Sequence, residues 1–451
     1  MEIRSLTVST DELRLGMFVA ELDKPWIGTR FPLQGLLIDD KAQIDELRGL
    51  CSEVVIDVGR SASDSIAHLS NLVLSMSGAA SDADAGRSRR SPGLWHRWQR
   101  RITTMFGKPR ADAPAPPPRM AGMPGNVELI AYRDTKSFEQ AIGPARQVYR
   151  DIEATMQTVM SDLALKREIS PEALGEAATE LVESVAVNPE AMMWLTRMRE
   201  QSVRTYMHSV QVAIYMVTLG RHLGFPRDHL KKLCMAGLLL DVGMTRIDNA
   251  MLERKGALTD DERAEVRRHV EYGLEILTNT PDLDEDVLEA VAQHHERADG
   301  SGYPRGLTDA KTSFAGRMAA IADTFAALTA NRPYADTLSA FNAMRVLFDG
   351  SRKHYSEPLV EQFVQAIGLF PVGSLVELSS GEVAAVVSHN KVRRLKPRVL
   401  IVTDADKKAL AAPAEINLLR DPKGADGAPL RIWRGLPAGA FGLNSRDYFL
   451  S

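Results

Sequence analysis

The run His294-His295-Glu296-Arg297-Ala298-Asp299-Gly300-Ser301-Gly302-Tyr303-Pro304 decides how this chain is read. Two adjacent imidazoles stand beside two carboxylates, Glu296 and Asp299, within six residues. Imidazole and carboxylate are ligands for Fe, Mn or Zn, and so short a span can present them to one metal with little chain closure. Gly300 and Gly302 let backbone approach a ligand closely, and Pro304 stiffens the chain beyond it. Adjacent histidines alone are more often a polar helix end leading into a loop. It is the full eleven-residue string that makes a metal site the sharper reading.

Further motifs lie on both sides of the run. Upstream are Met207-His208-Ser209-Val210-Gln211, Ala236-Gly237-Leu238-Leu239-Leu240-Asp241-Val242-Gly243-Met244 and Arg268-His269-Val270-Glu271-Tyr272-Gly273. Downstream are Gly316-Arg317-Met318-Ala319-Ala320-Ile321-Ala322-Asp323 and Asn331-Arg332-Pro333-Tyr334. In order and spacing, from about residue 200 to about 370, these segments resemble the HD-GYP family of metal-dependent phosphodiesterases. Their substrate is the bacterial second messenger cyclic di-GMP.

The resemblance implies a ligand set of His208, Asp241, His269, His294, His295 and Asp323, with Asp241 bridging two metals and acting in catalysis. Such a pair clamps the attacking and leaving oxygens at phosphorus. It also implies substrate contacts from Arg317, Arg332, Gly300, Gly302, Tyr303 and Pro304. Several family positions are altered. Leu240 stands where the His-Asp pair has its histidine, and Met244 where the family has a lysine. Arg204, Ala326, Asn331 and Ala335 stand where further ligands or phosphate-side charges are usual. Leucine has no lone pair. One metal position therefore keeps only His208, Asp241 and Asp323, while the other keeps Asp241, His269, His294 and His295. The expectation is one transition metal per chain, Fe or Mn, rather than two.

The residues alone support some of these assignments more than others. Asp241 follows Leu238-Leu239-Leu240, and Asp323 sits inside Met318-Ala319-Ala320-Ile321-Ala322. A buried carboxylate needs a partner. His208 in a helix interior, or His269 beside Arg267 and Arg268, would otherwise read as ordinary core or solvated residues. Two functions are open. One is a receptor or adaptor that binds cyclic di-GMP, or a protein partner, with weak or no hydrolysis. The other is a working phosphodiesterase yielding linear pGpG or GMP.

Composition bounds the rest. The 451 residues suffice for two or three domains, and a net charge of −4 gives no reason to expect nucleic-acid binding. Two distant cysteines, Cys51 and Cys234, argue against a disulfide framework. The N-terminus has no apolar signal core, and no run reaches the roughly 20 apolar residues that span a bilayer. A cytoplasmic protein is expected, with a homodimer open to it.

The pattern predicts a multi-domain, mostly α chain. Residues 1–60 read as a small α/β or β domain, similar to one often found ahead of the catalytic domain in this family. Residues 61–126 read as a linker rich in Ala, Pro and Ser. Inside it, Trp95 and Trp98 among Arg89, Arg90, Arg97, Arg100 and Arg101 suit peripheral contact with an anionic membrane or acidic partner through 87–110. Residues 127–370 should form an HD-type helical bundle, with one helix over Asp260–Leu277 carrying His269. Residues 371–422 read as a small β appendix, and 423–451 as a weakly structured tail.

Overall fold

The computed structural model describes residues 5–22, 36–51, 53–57, 61, 65, 119–125, 127–198, 205–248, 250–251, 258–330, 337–351, 353–390, 393–424 and 427–443. The chain forms two compact units, Met1–Gly107 and Lys108–Ser451. In the first, strands β1 (Ser5–Ser9), β2 (Phe18–Leu22), β3 (Leu36–Leu37) and β4 (Glu53–Asp57) make an antiparallel sheet of order β1-β4-β2-β3. Helix α1 (Lys41–Leu50) starts at Asp40, whose carboxylate accepts from Ala42 N while Gln43 reaches back to the cap. Its apolar stripe, Ile44 and Leu47, closes a core with Val8, Met17, Val19, Ile38, Val54 and Ile56. The segment 87–110 lies outside the described residues.

The second unit is a helical bundle followed by a sheet. Its helices are α2 (Phe138–Ala164), α3 (Pro171–Val187), α4 (Pro189–Met198), α5 (Thr205–His222), α6 (Arg227–Leu239), α7 (Asp260–Arg267), α8 (His269–Thr278), α9 (Glu285–Gln293), α10 (Phe314–Thr329), α11 (Ala340–Asp349) and α12 (Glu357–Ile367). Helix α5 is apolar around nearly its whole circumference, with Val210, Val212, Ala213, Ile214, Met216, Val217 and Leu219 inaccessible. It is the central rod, packed by α2, α6, α10 and α12. Tyr215 on α5 meets Phe325 on α10 and Phe363 on α12 edge to face. Contact between α5 and α6 requires glycine: a Cβ on Gly237 would lie 2.5 Å from Ala213 Cα.

Three features differ from the sequence expectation. The Asp260–Leu277 segment is two helices broken at Arg268, with the His269 ring, at the start of α8, bonded to Val266 O rather than lying on one straight helix. Helix α4 was not anticipated. Asn188 leaves the helical region at φ −159°, and its side chain accepts from Glu190 N at 2.9 Å to start a new helix at Pro189. The expected tail is not structureless. Strand β9 (Ile432–Leu436) pairs antiparallel with β5 (Leu375–Leu378). With β6 (Val383–Ser388), β7 (Arg398–Thr403) and β8 (Ala409–Asn417) it completes a sheet of order β8-β7-β6-β5-β9. The pairing joins residues more than fifty positions apart, which period-two patterning of a local hairpin does not show.

Candidate metal centre

Five segments bring the predicted ligands together. His208 lies on α5, Asp241 just after α6, His269 at the first position of α8, His294 and His295 after α9, and Asp323 on α10. The 3₁₀ turn Val242–Arg246 presses on α8 so closely that a Cβ on Gly243 would fall 1.9 Å from His269 O. That contact holds Asp241 beside His269, with Oδ1 and Nε2 3.5 Å apart. The α9–α10 connection is fixed by Gln293, which accepts from Ser313 N at 2.6 Å.

The ring nitrogens of His269, His294 and His295 converge within 4.8 Å of one another. His269 and His294 are 3% and 0% exposed. The Nδ1 of His269 faces Val266 O at 2.8 Å, and the Nδ1 of His294 faces Val291 O at 2.6 Å. Each Nδ1 carries the hydrogen, so each Nε2 is a bare lone pair. These two lone pairs stand 3.3 Å apart in the interior. A cation seated between the two nitrogens would relieve that crowding. Burial and then the neighbouring His269 lower the pKa of His294. Burial and then His294 hold His295 well below the usual imidazole range, which keeps both rings neutral and available as ligands.

The opposite side of the site is arranged differently. His208 Nε2 and Asp323 Oδ1 are 2.7 Å apart, in direct hydrogen bond, while Asp241 Oδ2 is 3.8 Å from the same nitrogen. Burial pushes the Asp323 carboxyl up, but the hydrogen bond from His208 outweighs it and holds it well below the usual range. Leu240, 1% exposed, caps α6 in place of a ligand.

The two carboxylates of the deciding run do not join the metal set. Glu296, 2% exposed, accepts from Arg305 N and Leu307 N, both at 2.8 Å, and so pins the loop beyond it. Asp299 turns outward and accepts from Ser301 N at 3.0 Å. Gly302 lies against the loop's own base: a Cβ there would be 2.4 Å from Arg297 N. Gly300 has φ 78°, in the region that favours glycine. The loop lays Tyr303 over His295, ring centroids 4.6 Å apart, and Pro304 is exposed beyond it.

Arg317 points elsewhere: its guanidinium meets Asp309 at 3.4 Å and the carbonyl of Ala121 at 3.4 Å, over the Phe314 ring. Arg332, Arg204 and the Asn331–Tyr334 segment lie outside the described residues. Sequence reading missed Arg267, which sits 5.0 Å over the Tyr303 ring at the edge of the imidazole cluster. Its only sequence signal was adjacency to His269, and it read there as part of a solvated charged face.

An HD-type helical domain with a buried imidazole–carboxylate centre is thus the class of protein the fold and site define. Residues 186–359 match the HD domain family, 375–423 a KOW domain associated with HD domains, and 5–174 a domain of unknown function. The chain is 29% identical over 98% of its length, and 94% of the other's, to a cyclic di-GMP phosphodiesterase of Pseudomonas aeruginosa. It is 35% identical over 43% of its length to a 3'3'-cGAMP-specific phosphodiesterase of Vibrio cholerae, spanning 35% of that protein. A solved HDG"Y"P protein of Bdellovibrio bacteriovorus covers 80% of this chain, and 98% of its own, at 13% identity and TM-score 0.40, a likeness too loose to carry an argument. The chain belongs to the HD-GYP family. Among the described residues no helix is long and apolar enough to cross a membrane.

Proposed function

We propose that this chain is a cyclic di-GMP signalling protein with a degenerate metal site, binding the nucleotide as a receptor or adaptor with weak or no hydrolysis. The observation that carries this reading is Leu240, buried where the resemblance calls for the histidine of the His-Asp pair. Asp241, His269, His294 and His295 would hold one transition metal, Fe or Mn, a donor set of imidazoles and one carboxylate that suits either. When bound, such an ion supplies positive charge at phosphoryl oxygens and lowers the pKa of water.

The chain's own residues do the remaining work. Asp241 bridges the two halves of the site and is the residue on which any catalysis would depend. The Gly300, Gly302, Tyr303 and Pro304 loop forms one wall for the nucleotide. Arg332, and Arg317 once released from Asp309, would supply charge to its phosphates. A cytoplasmic location, a homodimer, an unidentified protein partner and membrane contact through 87–110 belong to the same proposal.

A second reading, an active phosphodiesterase, is favoured by the 29% identity running through nearly the whole of both chains. Metal content and cyclic di-GMP turnover measured on one purified sample, with Leu240→His alongside, separate the two. The receptor reading expects at most about one metal per chain and turnover well below roughly 1 per second, with both raised by Leu240→His. Two stoichiometric metals with turnover in the ordinary enzyme range would refute it.

A further inference from the structure

Away from the imidazole cluster, a cavity opens where α4, the end of α10 and the start of α11 meet strands β5 and β9. Arg197, Thr329, Ala340, Ser374, Leu375 and Leu436 line it, and no carboxylate does among the described residues. Three separate features of its wall ask for negative charge.

The first is Arg197. Its only hydrogen bond among the described residues runs from Nη2 to the Tyr215 hydroxyl at 3.4 Å, and its guanidinium lies 5.5 Å over the Phe325 ring. Among the described residues its Nε, shut off from solvent, has no partner, and no ion pair neutralises the group. A cation held partly out of water without a counter-charge is costly. The second is Ser374, 7% exposed, whose hydroxyl is buried and, among the described residues, without a hydrogen-bond partner. A native buried hydroxyl is ordinarily satisfied. The third is Ala340, the first residue of the ten-residue helix α11. The first turn carries the positive end of the helix dipole; Ser339 Oγ already accepts from Asn342 N at 3.2 Å, and the Ala340 N–H is the amide that this end offers the cavity. Strand β9 closes over this helix start: a Cβ on Gly435 would lie 3.3 Å from Ser339 Oγ.

We infer that this cavity is a binding site for a small tetrahedral oxyanion, phosphate in the first instance, held by the Arg197 guanidinium, the Ser374 hydroxyl and the first turn of α11. The forked guanidinium matches two oxygens of such an anion, and the hydroxyl and the Ala340 amide match the others. The site joins the sheet to α10, the helix that carries Asp323.

The test is equilibrium dialysis of the full chain with radiolabelled inorganic phosphate, at ionic strength held constant with chloride. The inference expects one saturable phosphate per chain, displaced by sulfate and not by acetate. Arg197→Gln should remove it, and Ser374→Ala should weaken it about tenfold, the usual effect of one hydrogen bond to a charged group. Ser374→Ala guards against loss of folding in the arginine variant, because Arg197 also packs on Phe325. His295→Ala separates this cavity from the metal centre, and binding should survive it. No saturable binding, displacement by acetate as readily as by sulfate, or binding abolished by His295→Ala and untouched by Ser374→Ala would each overturn the inference. The receptor reading of the metal centre stands or falls separately, on nucleotide turnover.

Discussion

Replacing Glu296 by glutamine should loosen the loop over the metal centre with almost no change in side-chain volume. The carboxylate is 2% exposed and accepts from Arg305 N and Leu307 N, each at 2.8 Å. Hydrogen bonds to a charged group are worth about 1.5–3 kcal/mol each. Glutamine keeps one acceptor oxygen and turns an NH₂ toward the second amide, so one bond is lost and one buried N–H is left opposed by a donor. The cost is about 2–3 kcal/mol. For a cooperative unit as long as Lys108–Ser451, each kcal/mol moves the melting temperature by roughly 1.5 °C. The melting temperature should therefore fall by about 3–5 °C.

The loop also fixes His295, through the bond from Tyr303 N to His295 O at 3.2 Å. Loss of such outer support typically lowers metal affinity about 10–100-fold. Asp299→Asn is the control from the same run: its carboxylate bonds locally to Ser301 and otherwise only approaches the half-exposed His354 ring at 3.8 Å, so its melting temperature should stay within about 1 °C of wild type. Thermal melts and metal titration of both variants check the argument. If Glu296→Gln melts within about 1 °C of Asp299→Asn and holds metal equally well, the two amide bonds do not carry the loop.

Other outcomes are expected from the same structure. His295→Ala should lower metal affinity at least about 100-fold, while His208→Ala, whose ring is bonded to Asp323, should lower it less; elemental analysis after dialysis distinguishes them. Burial pushes Glu190 up, but the charge and hydrogen bond of His389, 2.8 Å away, outweigh it and leave its pKa lowered. A lowered folded pKa contributes stability that is present above about pH 4.3, the unfolded value, and lost as pH falls through the folded one. The melting difference between wild type and Glu190→Gln should therefore be full near pH 7 and shrink below about pH 4; a difference that grows toward acid would contradict the pairing. A peptide of residues 87–110 should sediment with anionic vesicles and not neutral ones, and high salt should release it. Trp95→Ala with Trp98→Ala should weaken that binding, and equal binding to both vesicle types would return the segment to a spacer.

Local pattern along the chain was enough to specify the class of fold, and motif resemblance supplied the ligand candidates. Helical periodicity and capping are local, so a helical bundle over 127–370 was legible, and its helices from α2 to α12 lie within those bounds. The candidate ligand set came from the resemblance to the HD-GYP family; the residues alone argued for Asp241 and Asp323, because a carboxylate in an apolar stretch needs a partner. Folding in three dimensions settled the relations that local pattern does not encode. It sorted the four polar groups of the deciding run into a cluster that could hold a metal, His294 and His295, and scaffold, Glu296 and Asp299, because only the folded loop supplies amides to Glu296. It broke the helix before His269 so that the ring could bond Val266 O and point its other nitrogen inward. It placed β9 beside β5 across more than fifty residues and left Arg197 and Ser374 facing one cavity. Those relations depend on chain segments remote in sequence meeting in space, and nothing in the period or composition of either segment specifies the other.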